Sequence, residues 1–94
     1  MTNPFKFGAA LYRITPLDAS DQLFELQQCD AAGAVIEGGR VLRVDVDGVS
    51  ECQRVDGTME TTSGAVVPVT RGTPLLRFDT NPAVRQRVAA ALKG

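Results

Sequence analysis

Apolar and polar residues alternate along much of this chain. Ala10, Tyr12 and Ile14 interleave with Leu11, Arg13 and Thr15. Phe24 and Leu26 interleave with Leu23 and Glu25. Leu42, Val44 and Val46 share one parity, and Val41, Arg43 and Asp45 the other. A period of two is the mark of a half-buried strand. Pro16 ends the first of these runs, because proline removes a ladder donor.

Turn signals recur at short intervals: Asp30-Ala31-Ala32-Gly33, Gly38-Gly39, Asp47-Gly48, Asp56-Gly57, Ser63-Gly64 and Arg71-Gly72. Close spacing of this kind predicts antiparallel strands and not βαβ units. The units Val46-Asp47-Gly48-Val49 and Val55-Asp56-Gly57-Thr58 nearly repeat. Read as two-residue hairpin turns, they join strands Arg40–Val46, Val49–Val55 and Thr58–Thr62. Val46 then faces Val49, Val44 faces Glu51, Arg43 faces Cys52 and Arg54 faces Met59. Asp30–Gly33 reads as a type I turn closed by a glycine bulge. Gly38-Gly39 reads either as a tight hairpin turn or as a bulge bending one long strand from Ala34 to Val46; with Asp30–Gly33 already a turn, the bend is favoured, a device that curls a small sheet.

Pro68 and Pro74 predict edge strands over Ala65–Thr70 and Thr73–Phe78. A helix over residues 82–92 follows, with Asn81 as N-cap and Pro82 as its first residue. Val84, Val88, Ala91 and Leu92 fall on one face. The expected fold is mainly β: a small antiparallel, barrel-like meander of about six strands with one short C-terminal helix. At 94 residues the chain supports a single core. Residues 1–8 read as an N-terminal arm and 9–94 as the domain, with the helix lidding one open end.

Composition is ordinary for a globular protein, 44% hydrophobic and 22% charged. Ten Lys and Arg stand against eleven Asp and Glu, without the basic excess that non-specific nucleic-acid binding needs. No apolar run approaches the roughly 20 residues of a membrane span. The first residues lack the marks of a signal peptide. A cytoplasmic protein, or one built into a particle assembled there, is expected, with Cys29 and Cys52 as free thiols.

There is no histidine, so His-based catalytic triads and His-ligated zinc are excluded. Asp45-Val46-Asp47-Gly48 resembles part of an EF-hand loop. Aligning Gly48 with the loop's invariant glycine puts Arg43 and Arg54 at the two end positions, which must be oxygen ligands. No cofactor or metal is expected, and no enzyme activity.

Two features point to partners. Arg40, Arg43 and Arg54 form a candidate basic cluster. Phe5 and Phe7 place two rings, alternate residues of an extended segment, ahead of the first regular strand. These five residues are the candidate partner-binding positions. The expected function is a protein-interaction or assembly module that forms a homo-oligomer, of the kind found as small virus or phage structural subunits. The alternatives are a soluble inhibitor or immunity-type protein, and a small ligand- or nucleic-acid-binding barrel.

Overall fold

The computed structural model describes residues 4–93. Eight strands and one helix follow in chain order. They are β1 (Phe5–Phe7), β2 (Ala10–Pro16), β3 (Phe24–Cys29), β4 (Val41–Asp45), β5 (Gly48–Cys52), β6 (Gly57–Glu60), β7 (Val66–Val69), β8 (Pro74–Asp79) and α1 (Ala83–Lys93). Six strands form an antiparallel sheet in the order β1-β2-β3-β4-β5-β8, and β6 and β7 form a ribbon of their own. The mainly β class with one short C-terminal helix is as the sequence pattern predicts.

The barrel is not closed. No hydrogen bonds join β1 to β8. Laid flat, six strands put the two edges about 24 Å apart, from five spacings of ~4.8 Å. Yet the Phe7 ring on β1 lies 6.5 Å from the Phe78 ring on β8, so the sheet is strongly curled.

Its concave face carries the main core. Tyr12, Phe24, Leu26, Leu42, Val44 and Val49 are buried there with Val84 and Val88 of α1. The predicted helix face holds, since Ala91 and Leu92 pack against the same cluster. Asn81 caps the helix by accepting the Ala83 N–H through Oδ1 at 3.0 Å. Among the described residues, no helix is long and apolar enough to cross a membrane. On the opposite face, Cys29, Val41 and Cys52 are buried, and both cysteines are free thiols.

The expected arm is not separate from the sheet; residues 1–3 lie outside the described residues. Gly8, at φ +62°, turns the chain so that Phe5 pairs with Tyr12 and Phe7 with Ala10.

The meander differs from expectation in two places. In the β4–β5 hairpin, Asp45 faces Gly48, Val44 faces Val49, Arg43 faces Ser50 and Leu42 faces Glu51. The loop residues are therefore Val46 and Asp47. Asp45 Oδ1 accepts the Asp47 N–H at 2.8 Å, an Asx-turn that starts the reversal one residue early. Asp56-Gly57 is not a hairpin turn at all. Gln53 N–H bonds Thr73 C=O and Gly72 N–H bonds Gln53 C=O, so the chain after β5 is held to the approach of β8. Asp56 Oδ1 accepts the Arg71 N–H at 2.8 Å. Strand β6 is thereby directed along β7, and Met59 faces Val67, not Arg54.

The long strand expected from Ala34 to Val46 does not form: β4 spans only Val41–Asp45, and Ile36–Gly39 is a turn closed by the Gly39 N–H on the Ile36 carbonyl at 3.0 Å. Val35 bridges Cys29, and Gln28 bonds both Ile36 N–H and Arg40 C=O. Residues 37–39 loop out between these two contacts with Gln28, so the local hydrogen bonding of the turn interrupts the strand that alternation alone predicts. Both proline strands are edges, as expected: β8 ends the sheet and β7 has β6 alone as a neighbour.

Candidate functional site

Arg40 and Arg54 converge on one carboxylate, Glu51, and Arg43 does not join them. The Gln28 bonds hold Arg40 just ahead of β4, where Gln28 Oε1 also accepts its N–H at 2.9 Å. Its guanidinium meets Glu51 at 2.6 and 3.3 Å and donates to the Tyr12 hydroxyl at 3.3 Å. It also stacks 5.6 Å from the Phe78 ring centroid, within cation–π range. Arg54 stands 3.7 Å from the same carboxylate. The hydrogen bonds from Arg40 hold the Glu51 carboxyl below the usual carboxylate range, so it stays ionised and is a poor proton donor. Asp45 is held low in the same way by a two-pronged bond from Arg77, at 2.9 and 3.0 Å.

Arg43 belongs to the opposite face. It donates to the Gly72 carbonyl at 3.2 Å, and its Nε is buried with no hydrogen-bond partner. Burial pushes the nearby Cys52 thiol up, and this outweighs the pull of the Arg43 charge toward thiolate. A reactive cysteine is not what this placement favours.

A cleft of about 470 Å³ opens between the 35–40 bulge and residues 54–56. Arg40, Arg54 and Arg71 line it, and so do Glu37 and Asp56. Glu51 serves Arg40 and Arg54, while Glu25 lies 3.7 Å from Arg71. Each guanidinium of the cleft has a carboxylate close by, so the three do not add up to a basic groove of the sort that tracks a nucleic-acid backbone.

Both candidate aromatic residues have partners within their own domain. Phe5 is 9% exposed and part of the core, with Arg87 5.7 Å above its ring. Phe7 packs edge-on against Tyr12 at 6.5 Å and also meets Phe78.

Several of the exposed apolar side chains lie on the edge strands. Met59, Val66 and Val67 of the ribbon and Leu75, Leu76 and Phe78 of β8 are exposed, Leu76 and Val66 by two-thirds (67% and 66%). Phe78 lies at a register shift. Val49 faces Asp79 and Ser50 faces Arg77, leaving Phe78 without a partner in β5.

The four outer edges are not equally guarded against strand addition. Strand β1 has three residues with Lys6 at its centre. Strand β8 begins with Pro74 and pairs with β5 through two register shifts. Strand β7 contains Pro68. Each of these is a known deterrent to pairing. Strand β6, Gly-Thr-Met-Glu, is four residues long with one charge, Glu60, and has no proline, no bulge and no lysine, so it is the least guarded of the four.

No family model, no curated protein and no solved structure matches this chain.

Proposed function

We propose that this chain is a non-enzymatic protein-interaction module that works by assembly, with further copies of itself among its partners. The observation that carries the reading is the concentration of exposed apolar side chains on β6, β7 and β8. Open strand edges that also expose apolar side chains are templates for pairing with other chains. The ribbon adds to this: every residue of β6 and β7 except Val69 is exposed, and a two-stranded ribbon is marginal without further packing. The polar groups support the same reading from the other side. Glu51 and Asp45 are committed to arginines and both thiols are buried, which leaves little for acid–base or nucleophilic work. A small structural subunit of a virus- or phage-type particle is the setting that suits such a module best.

Mass in solution tests the proposal. Sedimentation equilibrium of the wild-type chain over increasing concentration is expected to show mass rising above the 10.0 kDa of one chain. A single species of 10.0 kDa throughout contradicts self-assembly.

A further inference from the structure

We infer that the outer edge of β6 is a self-pairing edge, and that two copies join there antiparallel, with a two-fold axis at Met59. This rests on the reading of the chain as a self-assembling module and assigns it an interface.

Hydrogen-bond parity in the hairpin determines which groups β6 offers. The Thr61 N–H bonds the Ala65 carbonyl at 2.8 Å across the end of the ribbon. Bonded and non-bonded pairs alternate along an antiparallel ladder. Below Thr61, the pairs run Glu60 with Val66, Met59 with Val67, Thr58 with Pro68 and Gly57 with Val69, without a register shift. Met59 and Gly57 therefore bond inward to β7, and the N–H and C=O of Thr58 and Glu60 point outward. Pro68 fits the same parity, because the donor it lacks is one that β7 would have turned away from β6.

Charge then selects among the registers in which outward groups meet. If Thr58 faces its own copy, Glu60 falls opposite Asp56. If Glu60 faces its own copy, two carboxylates meet directly. Like charges opposite one another destabilise a sheet. If Thr58 faces Glu60 of the second copy, each carboxylate meets a hydroxyl-bearing residue and no like charges face. One step further, Glu60 would face Thr62, past the end of β6, and Met59 would lose its apolar partner.

The third arrangement makes four backbone hydrogen bonds, Thr58 and Glu60 exchanging both of theirs twice by symmetry. It also sets Met59 against Met59. Since Met59 and Val67 share a ribbon face, the four-stranded sheet carries an unbroken stripe of Val67, Met59, Met59 and Val67 across one side.

Sedimentation of the whole chain with single substitutions at Thr58 tests this. Thr58→Pro removes only an outward N–H and places proline opposite Pro68, so the hairpin is expected to persist, with the melting temperature unchanged in dilute solution where both chains are monomers. Two of the four bonds are lost, and self-association is expected to weaken by about thirty-fold. Thr58→Lys sets a cation opposite each Glu60 and is expected to tighten association several-fold; in a register with Thr58 facing itself it would weaken it. A wild-type chain that stays at 10.0 kDa up to about 1 mM, where even small, weak interfaces show, removes both the assembly reading and this edge. A wild-type chain that associates while Thr58→Pro associates equally well overturns the β6 edge and leaves the assembly reading standing.

Discussion

Gly48 sits at φ +130°, and a Cβ built there would lie 1.9 Å from the Asp79 carbonyl oxygen. The neighbour is backbone at the end of β8, so it cannot swing aside as a side chain would. Gly48→Ala is therefore expected to cost about 3 kcal/mol or more. For a domain of this size that is a fall of at least ~12 °C in melting temperature, measurable by calorimetry; an unchanged melting temperature would show that the β5–β8 contact is not as close as described. The need for glycine here was legible in the sequence, but its cause was not. Asp47-Gly48 advertises a hairpin through local turn chemistry. The close approach of Asp79, thirty-one positions downstream, is a tertiary fact that no local pattern carries. The same holds for Arg40, Arg43 and Arg54. Their spacing does not reveal that Arg40 and Arg54 share Glu51 while Arg43 faces the other way, because one residue of register inverts a side chain's face.

Among the elements, those whose signals are local came through the sequence intact. Asp30 and Ala34 close a three-residue loop ending in Gly33 at φ +87°, and Thr61 and Ala65 repeat it with Gly64 at φ +85°. The α1 cap and its apolar face also follow from short-range pattern. Strand β6 did not, because two strands compete for the same short segment. Propensity alone places Thr58–Thr62 beside β5, whereas the bonds from Gln53 to Gly72 and Thr73 draw the chain away and β7 takes the pairing. Pro68 gains meaning from that outcome as the guard on the ribbon's outer β7 edge. Pro68→Val restores an outward donor and creates a run of four valines from Val66 to Val69. Such a segment on an open edge favours strand stacking. Light scattering of this variant is expected to show species larger than those of the wild type, with pairing to β6 retained. Unchanged scattering would mean that the β7 edge is shielded by something other than proline.

At the scale of the molecule, the chain is more extended than a compact domain, with extents of 46 × 27 × 25 Å. The radius of gyration is 14.0 Å, against about 12.4 Å expected for a compact domain of this length. The fold class was legible because alternation and turn spacing determine antiparallel pairing. Closure of the barrel was not, because curl depends on bulges and on contacts such as Phe7 with Phe78. The proposed function was the least legible, since the interface it assigns, a backbone edge with exposed Met and Val, has no sequence motif. Amide hydrogen exchange resolved by residue tests most directly the proposed pairing of β6 with a second copy of itself. In a lone chain the Thr58 and Glu60 amides point to water, and the Met59 amide is bonded to β7. The account predicts that protection at Thr58 and Glu60 rises with protein concentration, while protection at Met59 is present at every concentration. Thr58 and Glu60 amides that exchange equally fast from dilute to concentrated solution would contradict it.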